Sequence, residues 1–527
     1  MTRRGGKRHR SAGAALGAIL CALLLQAAAQ AATLRIASAF DPQTMDPHAI
    51  AVIYNYRVYT QIYEFLVDRD PDFKLEPALA LSWEAVKPTT WRFRLRPGVQ
   101  FHDGGTLNAD DVVFSIERAL SRTSARASQL AGVAAARRVD DLTVDIDLSS
   151  PDAVLPEKLW QVAIMSKAWC VEHHVEKPLD YSRHEETWAN RHANGTGPYR
   201  LKSYEPDLRT VLVANPSWWG KRGNVDESVF VSMLSDATRL AALASGEVDL
   251  VLDPPLQDIG RLAHDPRFAL AETTDLATSY LVFNLGRDEL AESGVKGRNP
   301  FRDLRVRRAV YQAIDMDAIA AKMLRGRATP TGMALSPRLG GALDEEPRMP
   351  FDRDAARALL KDAGYAAGFD VDFDCVNSPL REAVCQAIAG MLAQVGIRAH
   401  LHTWPGAQFF PKVVDGQASL YEVGYSASGD AWFPLYGLFH SWSAGGAGYF
   451  NGGRYANPQL DRILDAARSD LDLARRRQSL ADAQRLLLRE LPSVPLYRRQ
   501  LGWIMRRGVH VVLWPNDVPE LRFAKVD

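Results

Sequence analysis

Strand-like and helix-like hydrophobic patterns alternate along almost the whole chain, and this alternation limits the fold more than any other sequence feature. Residues 91–96 (WRFRLR) place three apolar side chains on one face and three arginines on the other, which predicts a half-buried strand. Residues 142–148 repeat the two-residue period. Helical periods lie between such strands, so the sequence predicts an α/β fold.

The predicted helices carry start and stop signals. Asn108 can cap a helix that extends to residue 119, and Asp111 at its third position completes a capping-box pattern. Asp352 precedes another helix, which Gly364 would end in a left-handed conformation. Further helices are predicted at residues 303–314, 380–391, 457–467 and 472–492.

The size and charge of the chain narrow its class. Because 527 residues exceed the usual size of one hydrophobic core, we expect two or three domains. Hydrophobic residues make up 47% and charged residues 24%, which argues against disorder and against a multi-span membrane protein. The 63 basic residues balance 63 acidic ones, so the global charge indicates no nucleic-acid partner and no membrane-surface partner.

The first 31 residues have the pattern of a cleaved export signal. Their charged side chains are all basic, and an apolar run follows from residue 12 to residue 25. This run is short for a membrane span, which needs about 20 residues. Residues 29–31 (AQA) fit a cleavage site, and removal of the five basic residues leaves 58 basic against 63 acidic residues, a net charge of −5. We therefore expect an exported protein whose mature chain begins at Ala32.

Three cysteines remain after cleavage, which is too few for a disulfide scaffold. Cys375 and Cys385 are ten residues apart, a spacing that suits a local bridge in an oxidising compartment. Two buried free thiols are the alternative at the same positions.

Signatures of exported hydrolases are incomplete in this sequence. Residues 424–428 (GYSAS) begin like a nucleophile elbow, but Ser428 stands where the tight turn needs a second glycine. Residues 184–188 (HEETW) begin like a zinc-protease helix, but they lack the second histidine one turn later. The phosphate-binding pattern GxxxxGK[ST] is absent. We expect no catalytic residues, no metal and no cofactor, and a hydrolase built on Ser426 is the remote alternative.

Two histidines are candidates for ligand contact. His400 and His402 share one face of a predicted strand with Trp404, and such a face can touch a ligand.

A series of motifs appears in a fixed order along the chain. The first group is TMDP (44–47), YEFL (63–66), PALA (77–80), FHDG (101–104) and ADDVVFS (109–115); the second is GTGPY (195–199), WWG (218–220), SGEVD (245–249), FN (283–284) and PFRDLRVRRAVYQAID (300–315). In this order they resemble the extracellular solute-binding proteins of family 5, the peptide- and nickel-binding subunits of bacterial ABC importers. The likeness extends over almost the entire mature chain.

The resemblance implies a two-lobed α/β fold that closes over its ligand. One lobe would comprise residues 32–283 with 498–527, including an extra subdomain at about 50–180, and the other residues 284–497. Two crossovers near residues 280–283 and 496–499 would form the hinge. Such a protein would be a periplasmic monomer that captures a peptide and presents it to a membrane permease served by separate ATPase subunits. An oligosaccharide, an opine or a chelated metal is the alternative ligand.

The resemblance also suggests the ligand contacts. By family position Phe40 and Asp41 on the first strand, together with a segment between residues 404 and 432, would line the cleft. In that segment the implied residues are Trp404, Tyr425, Ser428, Asp430 and Trp432. Peptide-binding relatives pair the peptide's α-amino group with an aspartate that aligns with Ser428 here. A buried ammonium needs a paired charge, so either Asp430 replaces that aspartate or the ligand has no free peptide amine.

Overall fold

The structure is a computed structural model that describes residues 32–183, 185–290, 293–425, 429–444 and 446–527. The predicted export signal at residues 1–31 lies outside these ranges. Among the described residues, no helix has both the length and the apolar character needed to cross a membrane.

Strands and helices alternate as the sequence pattern predicted. The strands are β1 (Thr33–Ser38), β2 (Val67–Arg69), β3 (Leu75–Pro77), β4 (Ala80–Lys87), β5 (Thr90–Leu95), β6 (Val133–Asp140), β7 (Thr143–Leu148), β8 (Tyr199–Glu205), β9 (Arg209–Ala214), β10 (Glu227–Ser232), β11 (Leu250–Val251), β12 (Phe268–Thr274), β13 (Thr278–Phe283), β14 (Ala328–Pro330), β15 (Phe369–Val376), β16 (Ile397–Trp404), β17 (Leu420–Tyr425), β18 (Ser493–Arg506), β19 (Val509–His510) and β20 (Lys525–Val526). The helices are α1 (Ile53–Ile62), α2 (Ala109–Leu120), α3 (Leu155–Leu159), α4 (Lys167–Glu172), α5 (Asp236–Ser245), α6 (Leu256–Ala263), α7 (Leu304–Ala313), α8 (Met316–Lys322), α9 (Arg353–Asp362), α10 (Pro379–Ala393), α11 (Gly406–Val414), α12 (Trp432–Phe439), α13 (Pro458–Ser469) and α14 (Leu473–Glu490).

Local capping signals placed several helices correctly. The Asn108 side chain accepts from the backbone N–H of Asp110 at the start of α2, and the Asp111 carboxylate accepts from the Asn108 N–H, so the predicted capping box is confirmed. Asp352 caps α9, and Gly364 just beyond it has a φ of +84°, a conformation that glycine adopts without steric cost.

The long strand β18 joins two halves of one large sheet. The strand order is β16-β15-β17-β13-β18-β11-β1-β10-β9-β8, with β12 and β14 also paired to β18. The first part of β18 pairs with β13 and β14, and its last part pairs with β11 and β12. The chain therefore passes between the halves twice, once within β18 and once in residues 275–277 between β12 and β13.

The 50–180 segment contains a separate sheet of order β4-β5-β7-β6. Its strands β5 and β7 are those that the alternating patterns predicted. Arg92 on the polar face of β5 makes a bidentate ion pair with Asp145 of β7, at 2.7 and 2.9 Å. Arg94 of the same face forms an ion pair with Glu84 of β4, so both arginines of β5 have cross-strand partners.

Two large hydrophobic cores support the molecule. One core lies between β13, β15, β16, α7 and α10. The other contains β1, much of the 50–180 segment and the helices α12–α14. The 50–180 segment and the helices α12–α14 are in direct contact, since the Ala153 N–H donates to the Arg468 carbonyl at 2.7 Å. Helices inside the segment predicted as the second lobe therefore pack on the 50–180 segment.

Candidate ligand-binding site

The carboxyl ends of β1 and β17 face each other across the middle of β18. β1 is parallel to β11, and Val251 of β11 pairs with Ile504, so β1 points toward the lower-numbered part of β18. β17 approaches from the other half, because Tyr425 pairs with Thr278 and the next residue of β13 pairs with Tyr497. We call the space between these strand ends, over residues 497–500, the crossover cleft. Carboxyl ends of strands are where open α/β sheets bind ligands.

Phe40 and Asp41 lie together at the β1 side of the crossover cleft. The half-exposed Phe40 ring packs against Tyr54, with ring centroids 5.0 Å apart. Asp41 is buried and accepts hydrogen bonds from the Tyr204 hydroxyl and from the Gln43 N–H. Burial raises the pKa of the Asp41 carboxyl, while the Tyr204 hydrogen bond opposes this shift. Phe40 offers an apolar surface, and Asp41 is a bound, shielded carboxylate.

Trp404 ends β16 at the same level as the end of β15, because it pairs with Val376. Its indole Nε1 donates to Asp374 at 2.6 Å, and Lys412 Nζ lies 4.5 Å from its ring centroid. Lys412 also forms an ion pair with Asp374. The ring is thus held in place by a buried carboxylate and a stacked cation.

Tyr425, the last residue of β17, belongs to an aromatic group. Its hydroxyl lies 3.3 Å from the Tyr449 hydroxyl, and its ring centroid is 5.3 Å from that of Phe450. Burial raises the pKa of Tyr425 well above its usual value, so the phenol stays neutral and can donate a hydrogen bond. The structure therefore brings an aromatic surface to the β17 side of the crossover cleft.

Asp430 and Trp432 have buried surroundings with protein partners. Arg476 of α14 donates to both Asp430 oxygens, at 2.8 and 2.7 Å, and the Trp432 N–H donates to the same carboxylate. The Trp432 indole donates to the Leu464 carbonyl and stacks on Tyr436. These contacts explain both side chains as links between α12, α13 and α14.

A second ion pair adjoins the first. Arg69 and Glu157, both from the 50–180 segment, are bonded to each other beside Gly429. Gly429 has a φ of +72°, and a Cβ built on it would overlap the Arg69 guanidinium and the Glu157 carboxylate. Glycine is therefore required where the Asp430 segment meets the 50–180 segment.

Arg381, in the first turn of α10, is a residue that the sequence analysis did not identify. Its Nη1 donates to the buried Glu422 of β17 at 3.0 Å, while 30% of the Arg381 side chain stays exposed. Gly424 leaves room for the guanidinium, since a Cβ there would lie 2.6 Å from Nη2. Because β15 and β17 are parallel, the connection from β15 to α10 places Arg381 at the crossover cleft. A basic residue in the first helical turn opposes the helix dipole, and this was the available signal in the sequence.

The Cys375–Cys385 disulfide encloses Arg381 in its loop. Cys375 lies in β15 and Cys385 in α10, and the two sulfurs are bonded, so the bridged alternative left open by the sequence is the one in the structure. Cys170 is a buried free thiol. The bridge and the Glu422 ion pair together restrain the position of the Arg381 guanidinium.

The histidines and the other side chains that could ligate a metal contact protein groups where the structure describes them. His400 and His402 are exposed on the edge strand β16 and face Asp370 and Asp372 of β15, at 3.2 and 3.3 Å. Among the described residues, the metal-ligating side chains found close together are Cys375, Cys385 and Glu422, and the disulfide occupies both sulfurs. Ser426, Ser428 and His184 lie outside the described residues.

Comparisons with protein families and with known proteins find relatives that match most of this chain. A family model described as "Bacterial extracellular solute-binding proteins, family 5 Middle" matches residues 74–446. The heme-binding protein A of Haemophilus influenzae is 28% identical over 84% of this chain and 81% of its own length. The dipeptide-binding protein of Escherichia coli is 25% identical over 91% of both chains.

A solved structure shares the fold. The periplasmic binding protein DppA from Helicobacter pylori, in complex with the peptide STSA, superposes with a TM-score of 0.73 at 23% identity, over 94% of this chain and 98% of DppA. The predicted two-lobed α/β fold is thereby confirmed.

Proposed function

Because the chain belongs to the bacterial extracellular solute-binding proteins of family 5, as its motifs predicted, we propose that it captures a peptide in the crossover cleft. The chain is a solute-binding component of an ABC importer. Delivery of the bound peptide to a membrane permease with separate ATPase subunits is the corresponding partner proposal. The hydrolase alternative has no support from this family membership.

The Arg381 guanidinium is the observation that carries the peptide proposal. It lies at the carboxyl end of the second half-sheet, it is partly exposed, and Glu422 with the disulfide holds it in place. A guanidinium can bind a carboxylate through two parallel hydrogen bonds, and every unmodified peptide ends in a carboxylate. Names of related proteins support this choice, since one is a dipeptide-binding protein and another was solved with a peptide.

The amino end of the peptide needs a partner other than Asp430. The Asp430 carboxylate already accepts hydrogen bonds from both terminal nitrogens of Arg476, and the Asp430 side chain is only 6% exposed. Freeing it would leave a buried guanidinium without its partner, which is costly. We therefore expect the carboxyl end to contribute more to affinity than the amino end.

Closure of the cleft would let a permease distinguish the ligand-bound protein from the free protein. A ligand that touches Phe40 on one side and Arg381 or Tyr425 on the other contacts both walls only when the cleft is closed. Such a ligand shifts the population toward the closed state, which a permease can recognise. The hinge would consist of residues 275–277 and 497–500. We assign β13 to the second lobe because β13 pairs with β17. The lobes then divide as residues 32–277 with 498–527, and residues 278–497.

A thermal-shift screen of the mature chain tests the proposal. The ligands are di- and tripeptides, the same peptides with an acetylated amino end or an amidated carboxyl end, hemin, nickel–histidine and oligosaccharides. A ligand that binds only the folded state raises the melting temperature. We expect shifts with free and acetylated peptides and loss of the shift on amidation. Shifts confined to hemin, chelates or sugars would keep the import role and overturn the peptide assignment.

We propose that the protein is exported and processed near Ala31. The support is the basic and apolar pattern of residues 1–31 and the periplasmic location of family members. Amino-terminal sequencing of protein from a periplasmic fraction is expected to begin at Ala32. A chain that retains Met1 in the membrane fraction would contradict this assignment. Gel filtration is expected to show a monomer.

A further inference from the structure

The β17 side of the crossover cleft exposes large aromatic surfaces. Tyr449 and Phe450 are packed ring to ring at 4.7 Å, and both contact Tyr425. Tyr449 also packs closely on α12, since a Cβ built on Gly437 of that helix would lie 3.0 Å from the Tyr449 ring. Their exposed fractions are 41% and 43%, so these rings are fixed in place yet open to solvent.

The β1 side carries a matching apolar surface. Phe40 is 50% exposed, Leu208 is 53% exposed and Leu234 is 76% exposed. Leu208 is in the turn between β8 and β9, and its carbonyl accepts from the Ser232 N–H. Leu234 follows β10, where the Met233 N–H donates to the Ser38 carbonyl at the end of β1. Strand pairing thus brings all three residues to the end of the sheet that faces β17.

Exposed apolar residues on both sides of the crossover cleft indicate an apolar ligand group. A contiguous exposed apolar patch marks an interaction site, whereas single exposed apolar residues are common. We infer that the peptide carries a bulky aromatic or aliphatic side chain, which closure buries between Phe40, Leu208 and Leu234 on one side and Tyr425, Tyr449 and Phe450 on the other. This inference rests on the proposed function and adds a preference among peptides.

Matched peptides and variants test the preference. Di- and tripeptides with Phe, Leu, Ser or Asp at each position in turn are titrated calorimetrically into the mature protein and into Phe450→Ala and Leu234→Ser. Phe351→Ala is the control, because Phe351 is a 38% exposed aromatic residue just before α9, where the next N–H, that of Asp352, donates to the Gln312 carbonyl of α7. We expect Phe and Leu peptides to bind about tenfold tighter than Ser and Asp peptides. Both cleft variants should reduce this ratio toward one, and Phe351→Ala should retain it.

The outcomes separate this inference from the proposed function. Peptides that bind equally well whatever their side chains would overturn the apolar preference and leave peptide binding intact. A preference that survives in both Phe450→Ala and Leu234→Ser would overturn the assigned surface. Absence of binding to every peptide would overturn the proposed function and this inference with it. Melting curves of the three variants, whose changed side chains are 38% to 76% exposed to solvent, verify folding.

Discussion

Two ion pairs near the lobe interface use the same chemical groups in opposite settings. Asp430 and Arg476 bind each other through two hydrogen bonds, and their side chains are 6% and 7% exposed. Glu422 is fully buried, but its partner Arg381 keeps 30% of its side chain exposed. The first pair is closed to any ligand, whereas the second presents a cation to the crossover cleft.

The difference shows that a charge near a binding cleft is available to a ligand only in proportion to its remaining exposure. Asp430 has the residue type expected for recognition of a peptide amine, yet Arg476 already uses both of its oxygens. Arg381 has one buried partner and an open side. Substitutions at the first pair should therefore change stability, and substitutions at the second should change affinity.

Removal of Arg476 is expected to have the largest effect. Arg476→Ala leaves Asp430 buried and without its partner, close to Glu157, and should lower the free energy of unfolding by about 3–5 kcal/mol. Arg475→Ala, one residue earlier, is the control, because the Arg475 side chain that pairs with Asp470 is 67% exposed. Urea unfolding of both variants measures the difference. Equal losses would mean that the buried pair has no special structural role.

Loss of the Cys375–Cys385 bridge should have an intermediate effect. The Cys375→Ser/Cys385→Ser double variant should be less stable by about 2–3 kcal/mol, because its unfolded chain is no longer restrained by the closed loop. Binding of free-acid peptides should also weaken, since Arg381 lies within that loop. Thermal melting and calorimetry with and without a reducing agent measure both effects. Reduction should change the wild type but not the double variant.

A smaller effect should appear in the pH dependence of stability. Burial raises the pKa of Glu422 above its ordinary value, and the Arg381 charge only partly offsets this. The folded state therefore holds the proton more tightly than the unfolded chain, so this contribution to stability is present below pH 4.5 and is lost as the pH rises through the folded pKa. The free energy of unfolding should therefore decrease more between pH 4.5 and pH 8 in the wild type than in Glu422→Gln. Parallel curves would contradict the raised pKa.

Local sequence signals predicted the elements well because they act within one turn or one strand. Asn108 with Asp111, Asp352 with Gly364 and the alternation of residues 91–96 each determine a local conformation without distant partners. The order of motifs then identified the family and with it the lobed fold.

The site was only partly predictable because its partners are distant in sequence. Phe40 and Tyr425 were named by their position in the resembled family, and the structure places both at strand ends. Asp430 and Arg476 are 46 residues apart, so the sequence alone could not show that this carboxylate is already paired. Arg381 was missed because its role depends on Glu422 of a neighbouring strand and on the side-chain-free Gly424.

The most direct test of the account compares a peptide with its carboxyl-terminal amide. Both are titrated calorimetrically into the wild type, into Arg381→Gln, and into Arg398→Gln as a control with an exposed arginine on β16. We predict that the wild type and Arg398→Gln prefer the free acid by about tenfold to a hundredfold, as charge-assisted hydrogen bonds imply, and that Arg381→Gln binds both forms equally weakly. Equal binding of both forms by the wild type, or a preference that survives in Arg381→Gln, would contradict the account.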